Sequence, residues 1–307
     1  MTGKTLWTRS GINSQCQTFN DDQYVYVVEM DKNSQPASTR VLRAYDGVSV
    51  NVPDFAALYQ KRIRQVGRNL LLSENDGKGQ MTYRLYDVLT GKDVWTASYP
   101  ANSVVLKSED PNFGGIVEPD GTVRVTDIRT GKEAMKAKMD PKYLEKMNSV
   151  HLLYDGQYFL VACTGPTDPN QNPWGIMTNL VPNTGIRALT VNGEVYCFDA
   201  QTGRTKWHNP LLNQQIILDH FAEMPVVLAT SRYGKWMQIG AGRQPQQVVA
   251  LESIVKASGK YVFKQENQNW PQFHALNLDP KKGTIELVGY TSKIVHTVTN
   301  DPPSDKK

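Results

Sequence analysis

A short phrase recurs along this chain and limits what it can fold into. Its best copies are Asp87-Val88-Leu89-Thr90-Gly91-Lys92-Asp93-Val94-Trp95, Asp127-Ile128-Arg129-Thr130-Gly131-Lys132 and Asp199-Ala200-Gln201-Thr202-Gly203-Arg204-Thr205-Lys206-Trp207. A later copy runs Asp279-Pro280-Lys281-Lys282-Gly283-Thr284-Ile285, and the chain opens inside another, Thr2-Gly3-Lys4-Thr5-Leu6-Trp7. Degenerate copies stand at Tyr45-Asp46-Gly47, with a shortened loop, and at Leu251-Glu252 with Gly259-Lys260, with a lengthened one. An Asp bonds forward onto the backbone of a tight turn, and Gly takes the φ > 0 position that closes it, so each copy predicts strand, turn, strand. The residues before the Asp alternate, as at 82–86 and 195–198, with the period of a pleated strand. Asp120-Gly121 and Asn192-Gly193 add a second turn upstream, so each unit holds at least three consecutive antiparallel strands.

The spacing sets the size of the unit. Asp46 to Asp87 is 41 residues and Asp87 to Asp127 is 40, the length of a four-stranded propeller blade. Asp127 to Asp199 is 72, one blade plus a long excursion. The surplus falls at 166–185, where Pro166, Pro169, Pro173 and Pro182 sit among Asn residues with no alternation. From Glu252 to Asp279 is only 27, so the last unit is expected to be short. The fold predicted is all-β, a propeller of six or seven four-stranded antiparallel blades over residues 1–298, followed by a disordered tail at 299–307. One helical segment is expected at 54–65, where Asp54 caps a turn carrying Phe55, Leu58 and Ile63.

Composition removes several function classes. With 34 Lys+Arg against 30 Asp+Glu the formal charge is +4, which gives no reason to expect nucleic acid or an anionic membrane as partner. No apolar run approaches the roughly 18 residues of a membrane helix. Nor does a basic stretch followed by an apolar one open the chain, and its start in mid-phrase is expected both from an N-terminal strand that completes the last blade and from a cut out of a longer chain. The three cysteines, Cys16, Cys163 and Cys197, are too far apart for a CxxC site; Cys163 and Cys197 fall in one expected blade, as cross-strand neighbours or as two buried thiols.

The phrase Asp-x-x-Thr-Gly-Lys-x-x-Trp after an alternating strand resembles the repeat of the quinoprotein-alcohol-dehydrogenase-like propellers, the PQQ-like repeats. The resemblance covers most of the chain and is clearest over 80–137 and 187–210. It implies a bacterial, extracytoplasmic protein, a domain of a longer chain, in which the Trp four residues after the Gly docks neighbouring blades. That position is held here by Trp7, Trp95, Met135, Trp207, Phe263 and Leu287. The same resemblance implies, for catalytic members, pyrroloquinoline quinone beside Ca²⁺ with Glu, Asn and Asp ligands and a disulfide between adjacent cysteines. No adjacent Cys pair is present, the repeat aspartates are assigned to turns, and Glu74, Glu109, Glu118, Glu223 and Glu266 show no ligand spacing. No catalytic, cofactor or metal residue is therefore assigned, and neither PQQ nor Ca²⁺ is expected; a PQQ-dependent dehydrogenase acting on alcohols or sugars is the alternative.

The expected role is a binding scaffold whose loops contact a protein or envelope component. The candidate partner-binding residues are Trp174, Ile176 and Met177 in the long excursion, either exposed as anchors or folded back over a blade edge. The stretch 234–247, with Trp236, Met237 and Arg243, reads as a second loop or as a poorly matched strand. Asp219-His220 with Glu223 reads as polar residues at a strand end, and Lys61, Arg62, Arg64 and Arg68 as the solvated face of a connector.

Overall fold

The computed structural model describes residues 5–180, 185–267 and 273–298; the expected tail at 299–307 and residues 181–184 of the excursion lie outside them. The fold is all-β and built from antiparallel meanders of the propeller-blade type. The first is β1 (Cys16–Asn20), β2 (Tyr24–Met30), β3 (Pro36–Arg43) and β4 (Ser49–Val50), paired in that order. A helix α1 (Ala56–Lys61) leads to the second, β5 (Arg62–Val66), β6 (Asn69–Asn75), β7 (Gln80–Asp87) and β8 (Lys92–Pro100). The third joins β9 (Val104–Val105), β11 (Phe113–Val117), β12 (Thr122–Asp127) and β13 (Glu133–Lys138), while β10 (Lys107–Ser108) pairs in parallel with β14 (Ser149–Tyr154).

From β14 onward the pairing no longer breaks into separate blades. The strands β15 (Tyr158–Thr164), β16 (Met177–Thr178), β17 (Ala188–Asp199), β18 (Thr205–Ile217), β19 (Val226–Ile239), β20 (Gly242–Val255) and β21 (Tyr261–Asn267) join β10 and β14 in one nine-stranded sheet. Its two halves meet through only two register pairs, Gln215↔Thr230 and Ile216↔Ala229. A three-stranded sheet of β22 (Phe273–Asp279), β23 (Thr284–Gly289) and β24 (Lys293–Thr297) follows. The described residues of Met1–Val105, Pro111–Pro119 and Val125–Glu133 form one compact unit, and those of Leu106–Asp110, Asp120–Arg124 and Ala134–Lys307 form another.

The turn phrases fold as their residues require. Gly91, Gly131 and Gly203 take φ of 69°, 71° and 68°, and each donates its N–H at 2.9 Å to the carbonyl of the phrase Asp four residues earlier. The Asp199 carboxylate accepts from the backbone N–H of Gln201 and Thr202 and from the Thr202 hydroxyl, and Asp127 does the same toward Thr130.

At three of the phrases an indole four residues after one glycine packs on the glycine of the next, whereas Gly91 meets Pro53 and Gly283 the Val298 backbone. A Cβ added to Gly131 would lie 2.5 Å from Trp95 Cγ, one at Gly47 would lie 2.7 Å from Trp7 Cδ2, and one at Gly259 would lie 2.5 Å from Trp207 Cγ. At Gly203 an added Cβ would instead meet the Lys136 carbonyl oxygen at 2.1 Å, with Met135 Cγ beyond it at 3.6 Å. Only a residue without a side chain lets an indole approach that closely. The degenerate copies at Gly47 and Gly259 are thus true members of the series.

Central strands are buried on both faces, because alternate side chains feed two different cores. On β6, Leu70 and Leu72 pack with Phe19 and Tyr26 of the first sheet, while Leu71 packs with Tyr83, Leu85 and Ile128. On β19, Val227 and Ala229 belong to the core with Leu160 and Trp207, while Val226 and Leu228 belong to the one with Leu251 and Leu287. Full burial of one such leucine contributes about 1.5–3 kcal/mol.

One expectation needs correction, and the open alternative for the cysteines resolves to two buried thiols. The helix ends at Lys61 rather than running to residue 65: Arg62 turns extended (φ −61°, ψ 136°) and opens β5. Asp54 accepts from the Ala56 N–H and from the Thr39 hydroxyl, but Phe55 is the capping residue. The cysteines are not cross-strand neighbours, since Cys197 stands opposite Leu160 and Cys163 opposite Val150. Both thiols are buried, free and pushed up to about 12 by burial, which leaves them chemically inert at neutral pH.

Candidate binding loop and groove

The excursion after β15 is held to the sheet by one fully buried side chain. Asn172, 0% exposed, donates from Nδ2 to the Ile176 carbonyl at 3.0 Å and accepts at Oδ1 from the N–H groups of Trp174 (3.2 Å) and Gly234 (3.3 Å). Asp168 starts the loop by accepting at its carbonyl from the N–H of Gln171 and of Asn172. Further along, Met177 and Thr178 pair with Tyr233 and Arg232 of β19, and the Trp236 indole donates to the Pro169 carbonyl at 3.1 Å.

This anchoring sorts the three candidate residues. Met177 packs with Tyr233, Val248 and Ala250, so it is a core side chain of the loop's base. Trp174 lies on Gly234, where an added Cβ would be 2.6 Å from the ring, and remains 42% exposed. Ile176 is 62% exposed. The stretch 234–247 is no loop: it is the distal half of a β19–β20 hairpin paired to its tip, Ile239↔Gly242, across a turn with Gly240 at φ 59°. Gly234 in that hairpin makes room for the Trp174 ring.

Beside the hairpin lies a groove of about 440 Å³, walled by β18, β19, β20 and β21 and by Asn170 and Gln171 of the loop. Strand pairing, not sequence spacing, assembles its charges. Glu252 stands opposite Lys264 and Ala250 opposite Glu266, which places both glutamates on one face at diagonal positions. Lys264 Nζ is 3.1 Å from Glu252, and Glu266 takes Lys235 Nζ at 2.7 Å and the Tyr233 hydroxyl at 3.1 Å. Glu252 is only 8% exposed, and burial raises its carboxyl above the usual range despite Lys264. Burial likewise raises the Tyr233 hydroxyl, with the Glu266 charge adding to it. The groove residue Gln214 is 2% exposed, and its Oε1 has no hydrogen-bond partner among the described residues.

The other candidate clusters are occupied by internal contacts. Lys61 pairs with Glu74, Arg62 stacks on Tyr59 with its guanidinium 3.5 Å from the ring centre, Arg64 donates to the Phe113 carbonyl, and Arg68 pairs with Asp87. Asp219 binds Arg187, and His220 bonds Glu223. Among the described residues no three His, Cys, Asp or Glu side chains gather to hold a metal ion. No helix of the described residues is long and apolar enough to cross a membrane.

No family model and no curated protein matches the chain. Among solved structures it is similar to BamB from Moraxella catarrhalis, at 13% identity over 92% of this chain and 82% of that one, with a TM-score of 0.27. It is also similar to quinohemoprotein alcohol dehydrogenase ADHIIG from Pseudomonas putida HK5, at 15% identity over 88% of this chain and 44% of the other, TM-score 0.36. Quinohemoprotein alcohol dehydrogenase from Comamonas testosteroni gives 13%, 87%, 50% and 0.35 for the same quantities. The chain spans about half the length of these two dehydrogenases, which belong to the group its repeat resembles. At such TM-scores the likeness adds nothing to the site, whose chemistry rests on the side chains described above.

Proposed function

We propose that the chain is a non-catalytic binding scaffold, a PQQ-like-repeat propeller that acts in an extracytoplasmic compartment as part of a longer chain. A protein partner docks on the loop that carries Trp174 and Ile176. One observation carries this reading: two large apolar side chains stay exposed on a loop that a fully buried Asn172 holds in one conformation. A flexible loop would lose affinity to ordering on binding, whereas a preorganised anchor avoids most of that cost. The compartment and the longer chain follow from the repeat resemblance alone. The dehydrogenase reading lacks support in the donor set.

The test is photo-crosslinking from a benzophenone side chain placed at position 176, with the same group at Tyr290 (80% exposed) as control. Incubated with an envelope fraction of the cells that make the protein, the 176 probe is expected to give a discrete product that excess unlabelled chain competes away. Equal, diffuse labelling from both positions would contradict the proposal.

A further inference from the structure

We propose that the groove walled by Glu252 and Glu266 is a carbohydrate-binding site that takes a short neutral glycan through its hydroxyls. Its volume, about 440 Å³, lies within the roughly 300–1,000 Å³ of small-molecule sites, and its wall sets charged and amide side chains among Leu212, Tyr233 and Trp236, where such sites are mostly apolar. An apolar ligand would strip water from that wall without returning hydrogen bonds.

Charge then narrows the ligand. Glu252 pairs with Lys264 and Glu266 with Lys235, so the wall sets acceptors beside donors, and Arg243 adds one further cation. An anion such as phosphate would face two carboxylates and the bare Oε1 of Gln214. A simple cation would face Lys235, Lys264 and the exposed Arg243. A hydroxyl both donates and accepts, and neighbouring hydroxyls on a pyranose match the two oxygens of a carboxylate and the forked donors of an arginine. At the base of the groove, the buried Gln214 acceptor without a partner asks for one more donor. Trp236, whose indole N–H is committed to Pro169, supplies aromatic surface for the C–H face of a sugar ring.

The groove shares Asn170 and Gln171 with the excursion, but neither Trp174 nor Ile176, the docking side chains, lines it. The experiment is calorimetric titration of the full chain with cellotetraose, maltotetraose and chitotetraose, and in parallel with inorganic phosphate and glycylglycine. At least one tetrasaccharide is expected to bind saturably, and Glu266→Gln is expected to weaken it at least about tenfold, the loss of a hydrogen bond to a charged group. Arg243→Ala, at an exposed position that cannot unfold the sheet, is expected to weaken the same sugar, while Ile176→Ser leaves it unchanged. Absence of saturable heat from all three sugars, sugar binding indifferent to both groove substitutions, or tighter binding of phosphate or the dipeptide would overturn the assignment. Crosslinking from position 176 is read independently, so either proposal can fail alone.

Discussion

The Trp95 indole covers Gly131, and its Nε1 donates to the Ile128 carbonyl at 2.7 Å, three residues before that glycine. The same two contacts recur between Trp7 and Gly47, with Nε1 on Ala44 O at 2.8 Å, and between Trp207 and Gly259, with Nε1 on Lys256 O at 2.6 Å. These three turn phrases therefore each receive the indole of an earlier phrase, whereas Gly91 meets Pro53 and Gly283 the Val298 backbone. Gly131→Ala is expected to cost about 2–4 kcal/mol, from left-handed strain plus displacement of the ring. Gly67→Ala, at φ 59° with open space around it, carries only the strain and is expected to cost about 1–2 kcal/mol. Urea denaturation of the two variants separates the contributions.

A second prediction concerns Lys256, whose ammonium is buried against Asp155 at 3.1 Å, with side-chain exposures of 4% and 6%. It also donates to the Phe221 carbonyl and lies 4.1 Å from the Phe221 ring centre. Burial lowers the lysine's pKa, and the Asp155 carboxylate opposes that shift. Lys256→Met leaves the carboxylate uncompensated and is expected to destabilise by about 3–5 kcal/mol. Adding Asp155→Asn is expected to restore part of that loss, and additivity of the two substitutions in a denaturation cycle would contradict the coupling.

Acid sensitivity is expected at His151. Burial, with Lys107 adding to it, lowers its pKa from 6.5 to about 4. The neutral ring is favoured only in the folded chain, so its stability contribution is complete above pH 6.5 and is lost as pH falls toward 4. The stability difference between wild type and His151→Asn should therefore shift across that window and stay flat above pH 7. A difference independent of pH from 7 to 4 would rule the assignment out.

Asn172 is expected to tolerate no acidic replacement. Its Nδ2 faces the Ile176 carbonyl, so Asn172→Asp sets acceptor against acceptor in a buried site. Both Asn172→Asp and Asn172→Ala should speed chymotryptic cleavage after Trp174 at least about tenfold, as the loop opens locally. Unchanged cleavage would mean that the loop is held elsewhere.

The blade units were legible because their turns need particular chemistry: an Asp to cap and a Gly at positive φ leave a signature that survives variation elsewhere. The Trp–Gly contacts could be placed only in part, since Gly47 and Gly259 sit in degenerate phrases and declare themselves through the ring above them. The distal β19–β20 hairpin was hidden, because Gly234, Pro245 and a run of Gln give no period-two pattern. The groove was hidden for a different reason. Glu252 and Glu266 lie far apart in sequence and meet through antiparallel register, which leaves no spacing to read; Glu266 showed none. The excursion loop was visible as a loop, whereas its rigidity depends on Asn172, one of several asparagines there with nothing local to distinguish it.

The central claim is that this propeller binds and does not carry quinone chemistry. Its most direct test is calorimetric titration of the full chain with pyrroloquinoline quinone, with and without Ca²⁺. The account predicts no saturable heat under either condition. Tight binding that depends on Ca²⁺ would contradict it and make the chain a quinoprotein.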